Sequence, residues 1–401
     1  MKNMISDRIN SMAESETLAM SRMSRELTAQ GHHVINLSIG EPDFNTPDFI
    51  KDAAKRALDQ NFTRYTPVPG YPDLRQAISR KFKRDNGLDY SPEQIVVSTG
   101  AKHSIANAML AVVNEGDEVL VPVPYWVSYK EIIKLAGGIP VYIPSSIDTD
   151  FKVTAEQLRK AITPRTKVLI YSSPCNPSGS VYTRDELRTI ADVIAEHKQI
   201  FIIADEIYEH INFVSKHESI AQFDHVRDQV ITVNGVSKGF AMTGWRVGFI
   251  GAPLALAKAC DKLQGQITSG TCSIAQKASI AAMDADPEQT TELIEMKKAF
   301  RERRDFLIGL LKEIPGFKVN TPEGAFYLFP DVSDWFGKSY DSGTIANAAD
   351  LSMYLLNDAH VALVPGDAFG SPECLRFSYA TSKEELAEAV KRIRVSLAKL
   401  Q

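Results

Sequence analysis

Residues 233–251 read VNGVSKGFAMTGWRVGFIG. An apolar run, QVITVN (229–234), leads into this stretch and a second, RVGFIG (246–251), closes it. Between them a loop of small residues holds one lysine, Lys238, directly after Ser237, with Arg246 eight positions on. If the first run is a strand of a parallel sheet, Lys238 lies over the strand ends. Ligands of such sheets sit outside those carboxyl ends, in the crevice formed by the exit loops.

The rest of the chain supplies the parallel sheet. QIVVST (94–99), DEVLVPV (117–123), TKVLIYSS (166–173) and QIFIIAD (199–205) are further short β-branched runs. Helical periodicity separates them, as in DLRQAISRKFKRD (73–85) and TRDELRTIADVIAEH (183–197), where Thr183 and Glu186 form a capping box. Strands alternating with helices predict an α/β fold with a mostly parallel central sheet covered on both faces. Further on, a long charged helix (EQTTELIEMKKAFRERRDFLIGLLKEI) leads into a tail with its own strands and helices. The expected division is an N-terminal segment over 1–47 that joins the small domain, a large domain over 48–295 and a smaller α+β domain over 296–401.

Composition narrows the function. With 401 residues, 44% hydrophobic and 24% charged, the chain can bury a sizeable core. A net charge of −5 gives no basic field for nucleic acid. The N-terminus lacks a secretory pattern, and no apolar run reaches the ~18 residues of a membrane span, so a cytoplasmic protein is expected. Cys175, Cys260, Cys272 and Cys374 are too scattered for a disulfide framework or a zinc site, and the histidines show no metal-ligand spacing.

Other strand exits carry marked residues. Ala101 and Lys102 follow Gly100 after QIVVST, Asn176 follows VLIYSSPC, and Asp205 ends IFIIAD with Tyr208 three residues on. Pyridoxal 5′-phosphate (PLP) has a use for each of these. Its aldehyde takes a lysine amine, and its pyridine nitrogen stays protonated beside a carboxylate. Its phenolic oxygen suits an asparagine amide and a tyrosine hydroxyl. Its phosphate suits a helix N-terminus, a serine and an arginine. Taken singly, each residue has a plainer reading: Asp205 as a helix cap, Asn176 as a turn former, Trp126 as core, Arg376 as a surface ion pair and Lys102 as a solvent-facing lysine.

SKGFAMTGWRVG resembles the cofactor-lysine signature of class I aminotransferases, the fold type I PLP-dependent enzymes. GEPDFNTP (40–47), RYTPVPGYPDLR (64–75), STGAKHS (98–104), PYWVSY (124–129), SSPCNPSG (172–179), ADEIYEHI (204–211), PEGAFYLF (322–329), VPGDAFG (364–370) and LRFSYATS (375–382) extend the resemblance from about residue 5 to 395. It is nearest to the bacterial aspartate aminotransferase subgroup. The resemblance implies that Lys238 forms the Schiff base and shuttles the proton. It implies that Asp205 faces the pyridinium and that Asn176 and Tyr208 face the phenolic oxygen. Trp126 would stack on the ring, while Ser237, Arg246 and the Ala101-Lys102 backbone would hold the phosphate. Tyr65 would reach the phosphate of the neighbouring subunit, so a homodimer with shared sites is implied. Arg376 would grip the substrate α-carboxylate, and Gly40 would bring backbone against substrate, which Trp126 and Asn176 would also touch.

The activity implied is ping-pong transfer of an amino group from aspartate to 2-oxoglutarate, with amino acids and 2-oxo acids as substrates. A dicarboxylic substrate needs a second cation, for which Lys102 is the candidate, and residues 10–20 would cover the site with Ser15 or Thr17 near the side chain. Prephenate, aromatic or broader specificity is an open alternative, as is a PLP-dependent β-lyase or cyclopropane-forming synthase. A ligand sensor of a transcription regulator is the non-enzymatic alternative, against which the aminotransferase pattern starts too early to leave room for a DNA-binding module.

Overall fold

The structure, a computed structural model, describes residues 4–14, 16–214, 216–341 and 343–401. Its centre is a seven-stranded sheet in the order Ile95–Ser98, Gly248–Gly251, Val230–Gly235, Phe201–Asp205, Thr166–Ser172, Glu118–Pro122, Ile139–Ile143. The five strands from Val230–Gly235 to Ile139–Ile143 are parallel. Gly248–Gly251 runs antiparallel to both of its neighbours. The expected mostly parallel α/β sheet is therefore present. All six β-branched runs are strands, and Ile139–Ile143 is a seventh that the runs did not include.

Alternation along the strands builds two cores. Val119, Val121, Val168, Ile170 and Ile203 pack in one buried cluster, whereas Leu120, Leu169, Tyr171, Ile202 and Ala204 pack in another. Successive side chains point to opposite faces, and both faces are covered, so nearly every residue of these strands is apolar. The helix Arg184–Ala195 begins with the anticipated capping box: Thr183 N donates to Glu186 Oε2 at 2.7 Å and Glu186 N donates to Thr183 Oγ1 at 3.3 Å. The helix expected over 73–85 is α-helical only over Pro72–Lys81, then widens into a π-turn at Phe82–Asn86.

The C-terminal part has its own core around Phe300, Leu307, Phe326, Phe377 and Ile393. It brings together the long helix Thr291–Lys312, the antiparallel strands Val364–Pro365, Leu375–Ser378 and Tyr327–Leu328, and the last helix, Lys383–Leu397. Ile35–Asn36 pairs in parallel with Val361–Ala362, and Met20 packs with Leu356 and Ala362. All four cysteines are free, and all but Cys272 are buried. Among the described residues no helix is long and apolar enough to cross a membrane.

One close approach positions the site. A Cβ on Gly248 would come within 2.1 Å of Ala101 N, so glycine lets the Gly100–Ala101 turn lie directly on the strand. That contact seats the N-terminus of the helix Ala101–Val112 at the sheet edge. Gly248→Ala should lower stability by about 1–3 kcal/mol through overpacking, measured by urea unfolding. An unchanged midpoint would show that the turn can shift freely.

Candidate active site

A cavity of about 630 Å³ opens at the carboxyl ends of the parallel strands. Of the residues singled out in the sequence, Gly40, Ala101, Lys102, Trp126, Asn176, Asp205, Tyr208, Ser237, Lys238, Arg246 and Arg376 all line it. Several of them stand at or near the ends of elements. Asp205 ends the strand Phe201–Asp205, Lys238 follows Val230–Gly235, Ala101 starts a helix, and Arg376 lies in Leu375–Ser378. Tyr65 lies outside the cavity and is 96% exposed, on a separate surface with Arg64 and Thr268–Ser273.

Lys238 Nζ donates to the Gly40 carbonyl at 2.5 Å and lies 5.8 Å from the Tyr208 ring centre. Burial lowers its pKa to about 8, with Arg376 and Arg246 adding to the effect and Glu41 opposing it. A neutral amine is thus accessible near physiological pH, which a nucleophile or proton carrier requires. The loop 40–46 is laced to the lysine loop: Thr46 Oγ1 donates to Ala241 O at 2.7 Å, Trp245 Nε1 to Thr46 Oγ1 at 3.0 Å, and Thr243 Oγ1 to Glu41 Oε2 at 3.0 Å.

Asp205 is buried and accepts from Tyr129 Oη at 2.7 Å and from Ile207 N at 3.3 Å. Burial raises its pKa to about 6, against those hydrogen bonds and the nearby Lys238. Among the described residues it has no ion-pair partner. Tyr208 Oη bonds Tyr327 Oη at 2.9 Å. Arg376, 2% exposed, donates to Asn176 Oδ1 at 3.0 Å and Ser38 O at 2.7 Å, and its guanidinium lies 4.5 Å from the Tyr327 ring centre. The surface ion-pair reading of this arginine does not hold.

At the other end, Arg246 sits at φ 55°, a left-handed conformation rare outside glycine, and donates to Thr243 O at 2.9 Å. A Cβ on Gly100 would meet its Nη2 at 2.2 Å, so glycine leaves room for the guanidinium beside the helix start. Lys102 Nζ lies 4.9 Å from the Trp126 ring centre, and burial, then Arg246, lowers its pKa. Thr17, Leu18 and Ser21 of the helix Glu16–Ala29 complete the wall, while Ser15 lies outside the described residues.

Sequence reasoning missed Tyr129, Tyr327, Glu41 and Ser172. Tyr129 and Tyr327 stand inside the stretches PYWVSY and PEGAFYLF, but only the fold shows that they reach Asp205 and Tyr208.

These residues fit PLP on their own chemistry. Asp205 is a buried carboxylate with no ion pair among the described residues, an environment a protonated pyridine nitrogen would complete. Ser172 also lines the cavity. The helix start at Ala101, with Ser237 and Arg246, suits a phosphate.

The sequence profile of aminotransferase class I and II matches residues 32–393. An aspartate aminotransferase from Bacillus sp. strain YM-2 is 46% identical over 98% of this chain and 99% of its own length. A bifunctional aspartate aminotransferase and glutamate/aspartate-prephenate aminotransferase from Petunia hybrida is 48% identical over 98% of this chain and 82% of its own. The crystal structure of the aspartate aminotransferase from Rhizobium meliloti superposes with a TM-score of 0.95 at 42% identity, covering 99% of both chains. The chain belongs to the class I and II aminotransferases and has their fold. Its sequence is similar to those of bacterial aspartate aminotransferases, among them that of Bacillus subtilis at 44% identity.

Asp205 gives a prediction of opposite signs. Its folded pKa of about 6 exceeds the ordinary carboxylate value, so the stability it contributes is present at low pH and lost as pH rises through about 6. At pH 7.5 the cofactor-free Asp205→Asn variant should therefore melt at the same or a higher temperature than the parent, while PLP binds at least ~10-fold more weakly. A variant that melts lower but binds PLP as before would remove Asp205 from the site.

Proposed function

We propose that this chain is a PLP-dependent aminotransferase that carries the amino group of aspartate to 2-oxoglutarate. One observation carries the reading: Lys102, Lys238, Arg246 and Arg376 line one cavity, and among the described residues none has a carboxylate partner. Four such cations call for an occupant with several negative charges. A cofactor phosphate and a dicarboxylic substrate together supply them. In this assignment Arg246, Ser237 and the Ala101-Lys102 backbone hold the phosphate, Arg376 holds the α-carboxylate and Lys102 holds the side-chain carboxylate.

When bound, PLP supplies an aldehyde that captures the substrate amine and a ring that withdraws electrons from Cα. The chain supplies the rest. Lys238 Nζ takes the proton from the substrate Cα and gives it back on the cofactor side, for which a pKa near 8 suits a working pH close to neutral. Asp205, steadied by Tyr129, would keep a proton on the cofactor's ring nitrogen. Asn176 and Tyr208 would direct hydrogen bonds at the phenolic oxygen, and Trp126 would pack against the ring. Arg376, already fixed by Asn176 and Ser38, meets the α-carboxylate without reorganising.

The family relationship supports two further parts of the reading. Tyr65, almost wholly exposed in one chain, reaches the site of a second copy in a homodimer. The N-terminal segment 1–47 moves with the small domain 296–401 against the large domain 48–295, carrying Thr17 over the site; the pairing of Ile35–Asn36 with Val361–Ala362 supports that grouping. A cytoplasmic location fits the lack of a membrane-spanning helix among the described residues. Prephenate is a second acceptor worth testing, because the relative from Cereibacter sphaeroides, 45% identical, is named an aspartate/prephenate aminotransferase.

The test is oxaloacetate formation from aspartate and 2-oxoglutarate. Turnover is expected with aspartate and glutamate well above that with alanine or leucine. Lys102→Gln should raise the aspartate KM about 10–100-fold, the loss of one charge-assisted hydrogen bond, and leave alanine turnover little changed. Product released over many turnovers per enzyme from an amino acid with no oxo acid present would instead make this a lyase.

A further inference from the structure

Behind the cavity, on the far side of the turn that carries Asp205 and Tyr208, lies a cluster of buried charged groups that the reaction above does not use. Asp205 and Tyr208 line the cavity, whereas Glu206 and Glu209 do not and are almost fully buried. Glu209 forms an ion pair with Lys81 between side chains 2% and 1% exposed. Asn86 closes the set: Lys81 Nζ donates to Asn86 Oδ1 at 2.8 Å, and Asn86 Nδ2 donates to Glu209 Oε2 at 2.8 Å. Burial opposes ionisation of Glu209, but Lys81, His210, His217 and the Asn86 amide outweigh it and hold the carboxyl below its ordinary range.

The cluster also reaches the lysine loop. His210 Nε2 lies 3.3 Å from Glu209 Oε1, and its ring packs edge-on against Phe240 with centres 5.5 Å apart. A Cβ on Gly239, the residue after Lys238, would meet His210 Cδ2 at 2.8 Å. Glu206 accepts from Ser219 Oγ at 2.6 Å and faces His217 Nε2 at 3.2 Å. Lys81 and Asn86 bracket the π-turn Phe82–Asn86, a departure from α-helical geometry that places both side chains on Glu209.

Asp85, Glu209 and His210 bring potential ligand atoms within 4.8 Å of one another. The cation there is the lysine itself, since the Lys81 ammonium contacts Glu209 Oε1 and lies 3.8 Å from Asp85 Oδ2. An ion pair this deep is a poor source of stability, because desolvation of both ions offsets their attraction. What it supplies is one fixed geometry for the residues around it.

We propose that Lys81, Asn86 and Glu209 are positioning residues of the cofactor site: through Glu209 they fix the turn 205–209, so that Asp205 and Tyr208 present their side chains to the cavity in one arrangement. This rests on the reading of Asp205 and Tyr208 as cofactor ligands. The test is the Lys81→Met/Glu209→Gln double variant, which removes both charges and leaves neither ion buried alone. It is compared with the parent for thermal melting, for PLP binding to the cofactor-free protein followed by fluorescence, and for kcat and KM with aspartate. The expected result is a cooperative melt, PLP held about tenfold more weakly and kcat lowered about tenfold, with the aspartate KM changed less than about threefold. PLP affinity and kcat within about twofold of the parent, whatever the melting temperature, would make the triad purely structural and overturn the proposal. If the double variant gives no cooperative melt, Asn86→Ala carries the test, since it loosens the triad without unpairing an ion. PLP affinity unchanged there overturns the proposal equally. A parent that fails to bind PLP would overturn the reading of the site itself, a result distinct from either.

Discussion

The site depends on one half-buried amine. Lys238 Nζ sits at the exit of a parallel strand, under the carbonyl of Gly40, and burial there lowers its pKa to about 8. An exposed lysine would stay protonated at neutral pH and could neither attack a carbonyl nor accept a proton. The burial requires a lid, and the loop 40–46 provides it, tied to the lysine loop by Thr46, Trp245 and Thr243. The glycines at 100 and 248 serve the same end, letting a helix start and a guanidinium crowd against the sheet edge.

Around that amine the charges are sorted by position. Among the described residues the cavity gathers four basic side chains and two acids, Asp205 and Glu41. Glu41 is turned to Thr243, and Asp205 is held by Tyr129 at the cavity floor. An excess of buried positive charge is unfavourable in the empty protein and favourable once anions arrive, so the fold stores part of the binding preference before any ligand enters. Arg376 shows how the cost is kept down: its guanidinium is engaged by an amide oxygen and a backbone carbonyl and packs on aromatic rings, with no carboxylate to compete for it.

Much of this was legible in the sequence because parallel strands announce themselves. Six β-branched runs bounded by turns could be read as strands, and the rule that ligands sit at strand ends then grouped Lys238, Asp205, Asn176 and Ala101. The strand Ile139–Ile143 escaped because it lies at the sheet edge, is partly exposed and contains Pro140, so it lacks the buried β-branched run of the others. Contacts across distant segments were not legible. Nothing in the spacing of Tyr129 and Asp205, or of Lys81 and Glu209, says that they meet; those pairs exist only once helices are packed on the sheet. Tyr65 marks another limit, since a single chain leaves it facing away from its own cavity.

The central claim is that Lys238, of all the lysines here, is the amine that receives the cofactor. The direct measurement is to load the protein with PLP, reduce it with borohydride so that the carbon–nitrogen bond becomes permanent, digest it and locate the modified residue by mass spectrometry. The account predicts a single modified site at Lys238. Modification chiefly at Lys102, or spread over surface lysines with Lys238 untouched, would contradict it.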